Sequence, residues 1–115
     1  MGPILVVDDD DIRELVALVL ADEGYEVATA PDGRQALDLI ARQPPCLVLL
    51  DLNLPVMSGW EVHAHLRQAA PALPVVYMTA GGIAREEARR HAAAGYLAKP
   101  FDLTDLLATV ARFVS

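Results

Sequence analysis

Lysine, cysteine and aromatic residues are scarce in this chain of 115 residues. Cys46 is the only cysteine, which excludes a disulfide framework and a zinc site built from several thiolates. We expect it to be a small buried hydrophobe. Lys99 is the only lysine, whereas all the other basic residues are arginines. A single lysine directly before a proline therefore calls for a specific explanation.

Long apolar runs and nucleotide-binding loops are also absent. The apolar runs reach four to six residues, which is too short to cross a membrane. No basic segment followed by an apolar one opens the chain, so we expect a cytoplasmic protein without membrane contact. Neither a P-loop nor a GxGxxG loop is present, so a phosphate would arrive on another donor. The net charge of −7 argues against direct contact with nucleic acid by this segment.

Short apolar runs alternate with helical patterns along the whole chain. Five runs read as strands, at residues 4–7, 25–30, 47–50, 75–78 and 96–98, and a helical pattern follows each of them. The fourth helical pattern, at about residues 84–94, is rich in alanine and weak. Continuous apolar strands with short connections predict a single α/β domain over residues 1–115, whose parallel sheet is covered on both faces.

Polar residues follow the predicted strands where a functional site is expected, at their carboxyl ends. Asp8 and Asp9 follow the first strand, Asp51 the third, Thr79 the fourth and Lys99 the fifth. Two carboxylates about 4 Å apart repel by roughly 4 kcal/mol at an effective dielectric near 20, so three of them would take up protons or hold a cation. Oxygen ligands favour Mg²⁺, and the ammonium suits a phosphoryl group or a carboxylate. Together these residues indicate phosphoryl transfer to an aspartate.

Four segments, ILVVDDD, LVLLDLNLPVMSGWEV, MTA and GYLAKPF, carry these residues in a fixed order. With them the chain resembles, over essentially its whole length, the receiver domain of bacterial two-component response regulators, the CheY-like family. The resemblance implies a flavodoxin-like (βα)5 fold with a doubly wound, five-stranded parallel sheet in the order 2-1-3-4-5. The spacing from Thr79 to Lys99 is shorter than the family commonly shows, so we expect a shortened or irregular fourth helix.

The resemblance implies a role for each residue at the strand ends. Asp51 would be the phosphoacceptor, and Lys99 would pair with it or with its phosphoryl oxygens. Thr79 would be the switch hydroxyl and Tyr96 the switch aromatic. The peptide bond before Pro100 is expected to be cis, which few X–Pro bonds are. The implied ligands of Mg²⁺ are Asp9 directly, Asp8 mainly through water, Asp51, and the backbone carbonyl of Asn53.

The resemblance implies a signalling switch that catalyses only its own phosphorylation and dephosphorylation. A sensor histidine kinase or a phosphotransfer protein would supply the phosphoryl group. The surface of the fourth helix, fifth strand and fifth helix would then change and control an output partner or domain that the sequence does not name. A phosphorylation-dependent dimer is a further state that the resemblance allows.

Two other functions stay open at this point. The chain would be a pure interaction module if its receiver fold were never phosphorylated, although the complete set of site residues argues against this. It would be an aspartate-dependent phosphatase if it turned over small phosphoesters. Asn53 argues against the phosphatase, because such enzymes usually place a second carboxylate two residues after the nucleophile.

The remaining polar residues have simpler interpretations. Asp10 and Asp11 are expected to start the first helix, where aspartate is favourable. For Trp60, packing and a partner contact are both open. The exposed surface is expected to include three histidines and a basic strip on the fourth helix that either faces solvent or contacts an anionic partner: His63, His65, His91, Arg85, Arg89 and Arg90.

Overall fold

The computed structural model describes residues 2–79 and 85–114, apart from the side chains of Arg85 and Glu86. Strands and helices alternate as the sequence predicts. The strands are β1 Ile4–Val7, β2 Val27–Ala30, β3 Leu47–Asp51, β4 Val75–Thr79 and β5 Gly95–Ala98. The helices are α1 Ile12–Asp22, α2 Gly33–Arg42, α3 Gly59–Ala69, α4 Arg85–Arg90 and α5 Leu103–Ala111.

The strands form one parallel sheet in the order β2-β1-β3-β4-β5, which confirms the predicted topology. The register aligns the carboxyl ends of the three central strands. Val7 lies opposite Leu50 at the end of β1 and β3, and Asp51 lies opposite Met78 in β4. Residues that directly follow these strands are therefore held at one edge of the sheet.

Helices cover both faces of the sheet, and the apolar side chains of each strand alternate between them. Leu5, Val7 and Tyr77 pack on the face of α2, α3 and α4. Ile4 and Val6 pack on the opposite face, which α1 and α5 cover. β1 and β3 are buried along their full length, which is why their sequences are continuous apolar runs rather than alternating ones.

Side-chain caps begin three of the helices. Asp32 caps α2, Ser58 caps α3 and Asp102 caps α5, each by accepting a backbone N–H three residues later. In α3 the Ser58 hydroxyl also donates to the carboxylate of Glu61 at 3.3 Å.

Within the described residues, the fourth helix spans six residues, which agrees with the predicted shortened helix. A turn at His91 follows it, and Ala92 has a φ of 63°. Residues 80–84, in the segment where the spacing is shortened, lie outside the described residues. Cys46 is only partly buried, packed beside the face of α1 and α5. In the described parts of the chain, every helix is too short or too polar to span a membrane.

Candidate functional site

Lys99 joins two strand ends through its ammonium group. Its Nζ lies 2.7 Å from Oδ2 of Asp8 and 3.5 Å from Oδ2 of Asp51, residues that are 91 and 48 positions away in sequence. The Lys99 side chain is 12% exposed, and that of Asp8 is fully buried. Since a buried charge is tolerated only where opposite charges and hydrogen bonds replace water, this arrangement explains the position of the single lysine.

The pKa values of Lys99 and Asp51 are both raised. Burial alone would lower the pKa of Lys99, but the hydrogen bond to Asp8 and the charges of the surrounding aspartates outweigh it. Burial is the main reason why the pKa of Asp51 is raised, and the charge of Asp8 adds to it. The amide of Asn53 and the ammonium of Lys99 oppose this shift. A further cation beside Asp51 would favour its charged, nucleophilic form.

The turn after β3 holds Asp51 in place. The amide of Asn53 donates to Oδ1 of Asp51 at 3.0 Å, and the amide of Gly59 donates to the carbonyl of Leu52 at 3.1 Å. A Cβ at Gly59 would lie 2.4 Å from the carbonyl oxygen of Asp51, so only glycine allows α3 to begin this close to the strand. The predicted role of the Asn53 carbonyl as a metal ligand stays a prediction.

Three consecutive aspartates bring their carboxylates together beside Lys99. Oxygen atoms of Asp8, Asp9 and Asp10 all lie within 4.8 Å of one another, with Asp8 buried and the other two exposed. Oxygens that share one Mg²⁺ at about 2.1 Å lie within roughly 4.2 Å of one another, so small movements would suffice. This set of hard oxygen donors fits the Mg²⁺ that the sequence predicts.

Asp10 and Asp11 differ in what they do. Asp10 accepts the amide of Ile12 at 2.8 Å, as expected of a helix start. It also lies 3.9 Å from Nζ of Lys99, so it belongs to the acidic cluster. Sequence reasoning missed this second contact, because a capping role already explained the residue. Asp11 occupies the N-cap position of α1, as predicted, but its side chain makes no capping hydrogen bond.

Thr79 and Tyr96 lie on the neighbouring strands β4 and β5. The carbonyl of Thr79 accepts the amide of Lys99 at 2.7 Å, which ties the ends of these strands together. Tyr96 is half-buried and lies opposite Tyr77 in the sheet. The Lys99–Pro100 peptide bond is cis, in agreement with the expectation. The functions of Thr79 and Tyr96 as switch residues stay predictions.

The prediction of solvated histidines was wrong for His63. This residue is 4% exposed, and its Nδ1 shares a hydrogen bond with the hydroxyl of Tyr77 inside the core. Burial lowers the pKa of His63 to about 4, so the ring is neutral at pH 7. Burial also raises the pKa of Tyr77 to about 12. His65 is exposed, as predicted.

Trp60 is partly buried and contacts residues of the core and of the turn after α4. Its ring centroid lies 5.4 Å from that of Tyr77 and 4.5 Å from that of His91. His91 is therefore half-buried rather than solvated. In the basic strip, Arg90 is exposed and pairs with Glu87 at 3.7 Å, which fits the solvent-facing interpretation for that residue.

The fold and the acidic site define a class of protein, the CheY-like signalling domains. The chain matches the family model described as response regulator receiver domain over residues 4–111. The chain belongs to this family, and it is thus a receiver domain of two-component signalling.

Relatives of known name support the assignment. Response regulator MprA of Mycolicibacterium vanbaalenii is 45% identical over 108 residues, which cover 91% of this chain and 47% of that protein. Sporulation initiation phosphotransferase F of Bacillus subtilis is 36% identical over 114 residues, covering 96% of this chain and 92% of that protein. The chain spans about half the length of the first curated relatives that it matches.

A solved structure agrees in detail with the fold. Response regulator TrrA of Thermotoga maritima, in complex with Mg²⁺ and BeF, has a TM-score of 0.89 and 36% sequence identity. The similarity covers 99% of this chain and 100% of that one.

Proposed function

We propose that this receiver domain is a phosphorylation-dependent switch in which Asp51 accepts a phosphoryl group from a histidine kinase or a phosphotransfer protein. The observation that carries the proposal is the position of the Lys99 ammonium between Asp8 and Asp51, at 2.7 and 3.5 Å. Two buried carboxylates and one ammonium at the end of a parallel sheet form a site for a charged group. A phosphoryl group on Asp51 would meet the ammonium directly.

In the proposed step, a carboxylate oxygen of Asp51 attacks the phosphorus of a phosphohistidine. A bond from phosphorus to the Asp51 oxygen forms, the phosphorus–nitrogen bond breaks, and the leaving imidazole nitrogen takes up a proton. The Asn53 amide holds the other carboxylate oxygen, Oδ1, at 3.0 Å, which orients the group. Lys99 offsets charge on the phosphoryl oxygens as they approach.

The residues that would hold Mg²⁺ are Asp8, Asp9, Asp51 and the Asn53 carbonyl, with Asp10 as a further oxygen donor near the cluster. A bound Mg²⁺ would supply charge neutralisation between the carboxylates and the phosphoryl oxygens. The structure of TrrA with Mg²⁺ and BeF supports this proposal by similarity. Asp8 and Lys99 would then keep the buried part of the site electrically balanced.

The surface formed by α4, β5 and α5 would transmit the phosphorylation state to an output partner or domain. Tyr96 on β5 lines two grooves on this surface, one of about 350 Å³ beside α4 and one of about 610 Å³ beside α5. The Lys99 amide donates a hydrogen bond to the Thr79 carbonyl. A structural change beside the phosphoryl group would therefore affect the ends of β4 and β5 together. Phosphorylation would shift the population of this surface and so control an output partner or domain.

Two consequences of the proposal concern assembly and location. A dimer that depends on phosphorylation would use the surface of α4, β5 and α5, and sedimentation with and without beryllofluoride would detect it.

The phosphodonors of two-component systems act in the cytoplasm, so we place this receiver there as well.

Amide NMR spectra with Mg²⁺ and beryllofluoride test the switch. We expect the largest shifts at Asp51, Thr79 and Tyr96, and none of them in the Asp51→Asn variant, which lacks the acceptor carboxylate. An unchanged wild-type spectrum would favour a pure interaction module. Continuous turnover of a small phosphoester beyond one equivalent would favour a phosphatase.

A further inference from the structure

Arg13 lies at an electrostatically unfavourable position in α1. It is the second residue of the helix, where the positive end of the helix dipole disfavours a cation. Its side chain nevertheless turns back across the preceding loop. Nη1 donates to the backbone carbonyl of Asp8 at 2.8 Å, five residues earlier, and the contact is partly buried.

The loop that Arg13 spans carries four consecutive aspartates, residues 8–11. Two hydrogen bonds between residues two positions apart shape this loop. The Asp10 amide donates to Oδ1 of Asp8 at 3.1 Å, and the Ile12 amide donates to Oδ1 of Asp10 at 2.8 Å. Lys99 binds the side chains of Asp8 and Asp10 from the direction of β5. Arg13 binds the same loop from α1, at its backbone.

Repulsion between the aspartates would otherwise spread this loop. Among the described side chains, no ion pair involves Asp9 or Asp11. A hydrogen bond to the Asp8 carbonyl fixes the point where the loop leaves β1. The directions of the next two carboxylates depend on that point.

We propose that Arg13 is a positioning residue for the divalent-cation site, a role that rests on the function proposed above. Its guanidinium holds the Asp8 carbonyl so that the carboxylates of Asp9 and Asp10 stay close to that of Asp8. In this role Arg13 would contact neither the phosphoryl group nor the metal. It acts through the backbone of the loop, as outer partners of metal ligands do.

The sign of one substitution separates this role from a simple charge effect. A positive charge near a cation site weakens cation binding, so its removal alone would tighten binding of Mg²⁺. If Arg13 positions the loop, its removal loosens the ligands and binding weakens. Arg13→Gln therefore distinguishes the two effects by the direction in which the Kd for Mg²⁺ changes.

The test is a titration of the full chain with Mg²⁺. Binding is monitored by calorimetry and by the amide NMR signals of Asp9 and Asp10. We expect Arg13→Gln to raise the Kd about tenfold, the low end for such outer partners. Arg13→Lys keeps the positive charge and a hydrogen-bond donor, so its Kd for Mg²⁺ should lie between those of the wild type and Arg13→Gln. Arg42→Gln removes an exposed arginine of α2 and serves as the matched control, with the wild-type Kd.

A second measurement, hydrogen exchange without metal, keeps the proposal testable if Arg13→Gln folds less well than the wild type. Hydrogen exchange of the Asp10 and Ile12 amides without metal should be faster in both Arg13 variants, with Arg13→Lys the smaller change. A lower Tm with an unchanged Kd would mean that Arg13 is merely structural, and a lower Kd would mean that it acts only as a charge. Either result overturns the proposal.

Failure of the site as a whole is distinguishable. If wild-type protein binds no Mg²⁺ and takes up no phosphoryl group from a small phosphodonor, the proposed function fails, and this inference fails with it. If the wild type does both and Arg13→Gln binds Mg²⁺ as tightly, only the positioning role is wrong.

Discussion

The Lys99 ammonium lies closer to Asp8, at 2.7 Å, than to the proposed phosphoacceptor Asp51, at 3.5 Å. Asp8 is fully buried, and Lys99 is the cation that contacts its carboxylate. Asp51 is thus the looser of the two contacts. An incoming phosphoryl group can pair with the Lys99 ammonium in place of the Asp51 carboxylate, while Asp8 keeps its own contact with Lys99.

Lys99→Arg tests whether the shape of this cation matters. The substitution keeps the charge, so we expect the fold to persist, with a Tm close to that of the wild type. A planar guanidinium is broader than an ammonium and would crowd the space between Asp8 and Asp51. We expect acyl phosphate formation from a small phosphodonor to slow by about tenfold or more, which corresponds to roughly 1.4 kcal/mol in the barrier. A fully active variant would mean that the single lysine has no special role.

Gly59→Ala tests the close packing behind Asp51. The added Cβ would lie 2.4 Å from the Asp51 carbonyl oxygen and 2.6 Å from Cα of Leu52, both backbone atoms. Forced overpacking of this kind costs about 1–3 kcal/mol. We expect a lower free energy of unfolding in urea and slower phosphorylation. Gly95→Ala is the control, since its nearest described neighbour would be a Val76 methyl at 3.9 Å, and it should change stability little.

Val56→Gly should stabilise the protein. Val56 has a φ of 70° and is 81% exposed, so a β-branched side chain occupies the left-handed region with little packing in return. Relief of this strain should raise the free energy of unfolding by about 1 kcal/mol. Ala64→Gly on the exposed side of α3 is the opposite control and should cost about as much. A destabilised Val56→Gly protein would show that the valine makes a contact that outweighs its strain.

The buried His63 makes stability depend on pH. Its pKa is lowered from 6.5 to about 4 by burial, so at intermediate pH the unfolded chain binds a proton that the folded protein does not. Stability from this residue is therefore present above pH 6.5 and is lost as the pH falls towards 4, by up to about 3 kcal/mol. Chemical unfolding between pH 7 and pH 4 measures this slope.

Substitutions assign the slope to His63. His63→Phe should be less stable at pH 7 by about 1–3 kcal/mol, since the buried Tyr77 hydroxyl loses its partner. It should also lose less stability than the wild type between pH 6.5 and pH 4. His65→Gln, at an exposed position of the same helix, should keep the wild-type slope. An equal slope in His63→Phe would assign the acid sensitivity to other groups.

The sequence predicted the sheet well because the central strands are buried on both faces. Their continuous apolar runs leave little choice of element, and the residues that follow them must meet at one edge. β2 lies at an edge of the sheet and carries a weaker pattern, so its predicted start at residue 25 was two residues too early. The contact of Lys99 with Asp8 and Asp51 follows from this topology.

The contacts of His63 and Arg13 were harder to predict. The sequence interpretation places His63 at the surface as a solvated histidine, yet Gly59, Val62 and Leu66 share its buried stripe on α3. That helical spacing was the available signal. The bond from Arg13 to the Asp8 carbonyl left no signal in the sequence, since it depends on how the loop folds back over the start of α1.

Intact mass spectrometry after incubation with Mg²⁺ and acetyl phosphate decides whether Asp51 is the phosphoacceptor. We expect the wild-type chain to gain the mass of one phosphoryl group, located on Asp51, and Asp51→Asn to gain none. A wild-type chain that gains no mass, or an Asp51→Asn chain that gains as much as the wild type, would contradict the assignment of Asp51 as the phosphoacceptor.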